Sequence, residues 1–160
     1  MRAIGIILAG GNNKRMHELS NKRAISAMPV AGTYRAIDFS LSNMSNSHIQ
    51  KVAVLTQYNS RSLNQHLSSS KWWDFGRKQG GLFVYTPTIT AEHGDWFRGT
   101  ADALYQNLVF LQSSHEPYVI IAAGDGVYRI SYREKSGHYR RLQVDGDGGR
   151  CIPLRLSEDE

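Results

Sequence analysis

The chain has 160 residues, enough for one domain with a packed core and too few for two. Hydrophobic residues are 41% and charged residues 21%, an ordinary balance for a soluble globular protein; the net charge is +5 and the one cysteine, Cys151, rules out a disulfide framework or a cysteine-rich metal site. The apolar run Ile4–Ala9 is far too short to span a bilayer and lacks the flanks of a secretory signal, so the expectation is no membrane association, a mature start at Met1 and a cytoplasmic location. A basic surface can serve nucleic acid or a polyanionic small molecule such as a nucleotide. Here Arg15, Lys22, Arg23, Arg35, Arg77, Lys78, Arg98, Arg140 and Arg141 are scattered, with no basic helix or aromatic RNA-binding motif, which argues against nucleic acid.

In chain order, residues 1–9 read as a strand, with Ala3, Ile4, Ile6, Ile7 and Leu8 forming the run expected of a parallel strand buried on both faces. It ends in the turn cluster Gly10-Gly11-Asn12-Asn13. Ile37, Leu41 and Met44 predict a helix within 34–47. A second buried strand follows over 51–56, then a short helix over 60–67 with Ser60 or Ser62 as candidate cap. Residues 82–85 predict a third strand, ended by Pro87. Residues 99–112 predict one helix with Ala103, Leu104, Leu108 and Leu111 on one face and Thr100 and Asp102 at its start. A fourth strand, 118–123, runs into Gly124-Asp125-Gly126. Beyond about Ser131 the pattern dissolves: six Lys or Arg and six Asp or Glu accompany the loop-like Asp145–Gly149, and only 151–156 hints at a strand. Alternating strands and helices predict a parallel α/β sheet, in which ligands lie beyond the carboxyl ends of the strands. Both glycine turns lie at such ends.

A strand that ends in two glycines lets backbone amides approach phosphate oxygens, and a nearby arginine can grip phosphate with two parallel hydrogen bonds. A plain tight turn with a surface arginine is the alternative. The run Leu8-Ala9-Gly10-Gly11-Asn12-Asn13-Lys14-Arg15 is neither a P-loop nor a dinucleotide fingerprint. Asp125 between glycines is either a metal-holding carboxylate or a turn residue. Asp38 reads as a structural cap or ion-pair partner, with Arg35 as candidate, and Trp72, Trp73 and Trp96 as core or subunit-packing residues. His48, His66, His93 and His115 have no metal-ligand spacing.

The string Leu-Ala-Gly-Gly with Arg15 four residues on resembles the signature loop of sugar-nucleotide pyrophosphorylases. Asn21-Lys22-Arg23-Ala24, Gly32–Phe39, Leu41-Ser42-Asn43, Leu55-Thr56-Gln57-Tyr58, Trp96–Ala103 (W-F-R-G-T-A-D-A) and Gly124–Arg129 follow in the order found in ADP-glucose pyrophosphorylases. The motif-by-motif likeness covers about residues 3–132. It implies a three-layer, Rossmann-like nucleotidyltransferase domain with a mainly parallel sheet, cut short at its C-terminus, over residues 1–132, and an atypical tail over 133–160 that a shifted reading frame or disorder would explain. It also implies an adenylyl transfer in which ATP and glucose 1-phosphate give ADP-glucose and pyrophosphate. Gly10, Gly11 and Arg15 would hold the triphosphate; Gln57, Gly99 and Thr100 would meet the adenine; Leu8, Ala9 and Ala101 would also contact the nucleotide; Asp125 would hold Mg²⁺. Arg15 and Asp125 are then the catalytic candidates.

Departures from the family pattern qualify this. Asn13 and Lys14 replace a glycine and a hydroxyl residue, and Ala24-Ile25-Ser26-Ala27 stands where the family reads A-K-P-A, so Ile25 replaces a phosphate-facing lysine. Gly126 and Arg129 replace a histidine and a lysine. Losing a cation from a phosphoryl-transfer site costs on the order of 10²–10³ in rate. The resemblance is strongest to the regulatory, non-catalytic subunits of the family, which implies weak activity and a hetero-oligomer with a catalytic homologue.

Overall fold

The computed structural model describes residues 2–11, 14–75, 80–88, 96–132 and 152–155; the side chains of residues 14, 15, 70, 71 and 152–155 fall outside the description, as do Asn12, Asn13, His93, Cys151 and most of the tail. Five strands form one sheet: β1 (Ile4–Ala9), β4 (Lys51–Thr56), β5 (Gly81–Tyr85), β6 (Tyr118–Ala123) and β7 (Ile152–Arg155). Their order is β5-β4-β1-β6-β7. The first four are parallel, with Ile4 opposite both Lys51 and Val119, and β7 runs antiparallel beside β6. A small antiparallel pair, β2 (Pro29–Val30) and β3 (Tyr34–Arg35), leads into helix α1 (Ala36–Asn46).

Side chains alternate across β1, and this divides the core into two layers. Ile7 and Ala9 join Val52, Val54, Ile120 and Ala122 beneath α1 (Ile37, Leu41, Met44) and α2 (Arg61–Leu67; Leu63, Leu67). Ile4 and Ile6 join Ala53, Leu55, Val119 and Ile121 beneath α3 (Thr100–Gln106) and α4 (Leu108–Gln112) through Ala103, Phe110 and Leu111. The result is the three-layer, helix–sheet–helix architecture that the family resemblance implied, built on the parallel sheet read from the buried strands. Among the described residues no helix is long and apolar enough to cross a membrane.

Three local expectations need correction. The helix predicted over 99–112 is two helices, because Asn107 adopts φ −110°, ψ 18° and donates from its side chain to the Ala103 carbonyl at 2.8 Å, closing α3 and opening α4. Ser60 stands at the start of α2, yet its side chain makes no cap hydrogen bond. Trp73 lies in the core, while Trp72 and Trp96 are exposed, where of the two expected roles subunit packing is the one open to them. Asp38 is a cap as expected: its Oδ2 accepts from the Arg35 N–H at 2.8 Å. Its side-chain partner is not the Arg35 guanidinium, however, but His66, whose Nε2 lies within hydrogen-bond distance, 2.6 Å, of Asp38 Oδ1. The Arg35 guanidinium donates instead to the Ser62 carbonyl at 2.6 Å.

Candidate active site at the carboxyl ends of the strands

The central placement of β1 brings the two glycine turns together. Leu8 pairs with Ala123, and the Gly124 N–H donates to the Leu8 carbonyl at 2.9 Å. Gly10-Gly11 and Gly124-Asp125 are therefore neighbours at one end of one sheet, although they are far apart in the chain.

Gly124 is closely packed, and a larger residue would have to displace its neighbours. A Cβ there would lie 2.8 Å from Ser26 Oγ and 3.2 Å from Ala9 Cβ. Ser26 belongs to the short 3-10 turn Ile25–Ala27, and the preceding Ala24 donates its N–H to the Asn59 carbonyl at 3.3 Å. This turn thus bridges the exits of β4 and β6 across the exit of β1. Ile25, half-buried, occupies the middle of the bridge. Asp125 is exposed on the turn after β6. The backbone of Arg15 lies in the 3-10 segment Lys14–Ser20 that follows the first turn; its side chain lies outside the described residues.

On the other side of β1, between β4 and α3, is a cavity of about 300 Å³. Leu8, Gly10, Gly11, Gln57, Gly99 and Thr100 line it, six of the nine residues expected to contact nucleotide; a seventh, Arg15, has its side chain outside the described residues. Ala9 and Ala101 do not: Ala9 is buried against Gly124, and Ala101 is exposed on α3. Sequence reasoning missed Tyr58, Phe97 and Arg98, which also line the space. They flank Gln57 and Gly99 in the very strings that carried the resemblance, so adjacency was the signal. Leu8, Phe97 and Tyr85 continue the apolar layer beneath, and burial raises the pKa of the Tyr85 hydroxyl. Tyr58 stacks face to face on Trp96, ring centroids 5.0 Å apart and 5° from parallel. At the start of α3, Asp102 Oδ2 accepts from the Arg98 N–H at 2.9 Å, fixing the Trp96–Gly99 approach.

An apolar floor, two glycine edges and a few polar groups suit a planar base, and the adjoining turns suit its phosphates. The two glycines differ in what they permit. A Cβ on Gly10 would meet Gln57 Cβ at 3.1 Å, whereas one on Gly11 would meet nothing within 4 Å. Gly11→Ala is therefore expected to leave the melting temperature of the unliganded chain within about 2 °C while weakening nucleotide binding; Gly10→Ala is expected to lower it by several degrees, roughly 1–2 kcal/mol of overpacking. Differential scanning fluorimetry of both variants checks this.

The donor set around Asp125 is a single exposed carboxylate, and no cluster of three His, Cys, Asp or Glu positioned for a metal occurs among the described residues. One carboxylate fits a Mg²⁺ shared with substrate phosphates rather than one caged by protein alone.

Comparison with known proteins agrees with this fold. The family described as Nucleotidyl transferase matches residues 4–157, beyond Tyr132 and through β7. The chain is 42% identical over 142 residues to a glucose-1-phosphate adenylyltransferase of Halalkalibacterium halodurans. It is 43% identical over 155 residues to that of Thermosipho africanus, and 41% over 155 to that of Thermotoga maritima. These alignments cover 89–97% of this chain but only 36–37% of each relative. With the family matched over nearly the whole sequence and its α/β sheet in place, the chain belongs to the nucleotidyl transferase family.

Proposed function

We propose that this chain is the nucleotide-binding part of a glucose-1-phosphate adenylyltransferase-type subunit, which binds ATP with its base in the Gln57–Thr100 cavity and its phosphates over the two glycine turns. The observation that carries the reading is the 2.9 Å hydrogen bond from Gly124 to Leu8, which sets Asp125 beside the turn that the cavity shares through Gly10 and Gly11. Gly10 and Gly11 would present backbone N–H groups, and Arg15 a guanidinium, to the triphosphate. Asp125 would hold Mg²⁺ together with those phosphates, an ion whose charge offsets the negative charge gathering at the reacting phosphorus. The phosphate of glucose 1-phosphate attacks the α-phosphorus, pyrophosphate leaves, and ADP-glucose forms.

A specific feature favours a second role alongside. Ile25 puts an aliphatic side chain in the bridge between the two strand exits, where the family resemblance places a lysine. Weak catalysis by this chain alone, and a regulatory association with a catalytic homologue, follow from that loss.

Thermal melting with nucleotides tests the base and phosphate assignments. At 100 times Kd, ATP with Mg²⁺ adds about 2.7 kcal/mol, a rise of roughly 5–10 °C in a chain of this size. GTP and UTP are expected to give less, and Gln57→Ala to level the difference. Equal shifts with all three nucleotides, or none, would overturn the adenine assignment. Measuring ADP-glucose formation with and without a catalytic homologue separates the catalytic from the regulatory role.

A further inference from the structure

From Gly126 to Ser131 the backbone is neither helix nor strand, yet it follows directly on the turn that bears Asp125. Its polar groups need partners, and α1 supplies them from side chains. Ser40 Oγ donates to the Ala123 carbonyl at 2.8 Å. Asn43 Nδ2 donates to the Tyr128 carbonyl at 2.9 Å, and Asn43 Oδ1 accepts from the Ile130 N–H at 3.1 Å. Ser47 Oγ accepts from the Tyr132 N–H at 2.9 Å. Positions 40 and 43 lie on one side of α1 and Ser47 caps its C-terminus, and all three residues are buried. Asn43 thereby treats residues 128–130 as a neighbouring strand would, bonding a carbonyl and the next-but-one N–H with the two ends of one amide. Only one orientation of that amide satisfies both groups.

Asp125 lies between the first anchor, at Ala123, and the second, at Tyr128. We propose that Asn43, assisted by Ser40, is a positioning residue that sets where the Asp125 carboxylate stands over the glycine turn of β1, the function of an otherwise unexplained Leu-Ser-Asn string. The proposal rests on the reading of Asp125 as the metal-holding carboxylate. Stripes of small polar residues can serve packing alone, but this one bonds four backbone groups between Ala123 and Tyr132, two of them in the segment without regular structure, and its two upper members bracket the turn that the chemistry uses.

Amide hydrogen exchange on the unliganded full chain, and ATP affinity with and without Mg²⁺, test the proposal together. Asn43→Asp keeps the size and the acceptor for Ile130 but sets a carboxylate oxygen against the Tyr128 carbonyl. It is expected to speed exchange over 126–131 while leaving Thr100–Gln106 unchanged. It should also cut the Mg²⁺-dependent gain in ATP affinity about tenfold and leave Mg²⁺-free affinity alone. Ser47→Ala, at the far end of the strap, should speed exchange near Tyr132 without touching that gain. Combining Asn43→Asp with Asp125→Asn should bind no more weakly than Asp125→Asn alone. A full Mg²⁺-dependent gain in Asn43→Asp, equal losses with and without Mg²⁺, or additive losses in the double variant overturn the positioning role. If the unaltered chain shows no Mg²⁺-dependent gain, the Asp125 assignment falls; exchange alone then decides the clamp, and unchanged rates over 126–131 overturn it. Should Asn43→Asp fail to fold, Ser40→Ala carries the same comparison from the other side of the turn.

Discussion

Replacing Ile25 by lysine is expected to raise pyrophosphate release from ATP and glucose 1-phosphate on the order of 10²-fold. Ala24 is hydrogen-bonded to the loop after β4, and Ser26 abuts Gly124 after β6, so residue 25 stands in the bridge between the two exits that flank β1. On the proposed reading, a cation there would face the region where negative charge gathers during adenylyl transfer. The native isoleucine is half-buried, so its replacement by lysine removes some apolar contact, and the long aliphatic stem of lysine restores part of it. A coupled pyrophosphate assay on both chains, at matched folded concentration, gives the ratio. A rate unchanged within about twofold would mean that residue 25 does not face the phosphates, and the explanation offered for weak catalysis would be lost.

The second large effect concerns stability. Asp38→Ala is expected to lower the melting temperature by roughly 10 °C, about 2–4 kcal/mol. Asp38 is only 8% exposed and serves two partners at once: it accepts the Arg35 N–H at the start of α1, and it holds the His66 ring of α2 at 2.6 Å. The first loss is an N-terminal cap of about 1 kcal/mol, and the second leaves a largely buried imidazole without its acceptor, about 1–3 kcal/mol more. His66 in turn meets Trp73 edge-on at 5.5 Å, so the change spreads into the core beneath α2. Asp38→Asn retains an acceptor for Arg35 and should cost about half as much. A shift below about 2 °C for Asp38→Ala would show that the two helices are held by their apolar faces alone.

The strands were legible because they are buried on both faces. Ile4-Gly5-Ile6-Ile7 and Val52-Ala53-Val54-Leu55 cannot be solvated, and in a chain of this length such runs have few places to go. The stripe of Ala103, Leu104, Leu108 and Leu111 was also correctly read as one apolar face, but the break at Asn107 was hidden. Asn107 ends α3 through a side-chain bond to the Ala103 carbonyl, a competition for backbone groups that periodicity does not reveal. The pair β2–β3 was invisible because strands of two residues cannot alternate. The glycine turns marked half of the site. Tyr58, Phe97 and Arg98 join them only because β4 and α3 flank β1, and the partners of Asn43 lie more than eighty residues ahead of it in the chain. Asp38 was identified as a cap from its type and position, whereas the choice of His66 over Arg35 as its partner depends on how α2 packs.

The strand order also governs the sequence of events during synthesis. β1 emerges first and acquires β4 and then β5 on one flank, but its other flank must wait for β6, whose Val119 pairs with Ile4. Until then the growing chain carries the unpaired amides and carbonyls of its most apolar strand on an open side, a template for association with any extended neighbour. Closure of that side joins the two ends of a long stretch of polypeptide, a slow step by virtue of its topology. The interval between the appearance of β1 and the arrival of β6 at the ribosome exit is therefore when this domain most needs a chaperone.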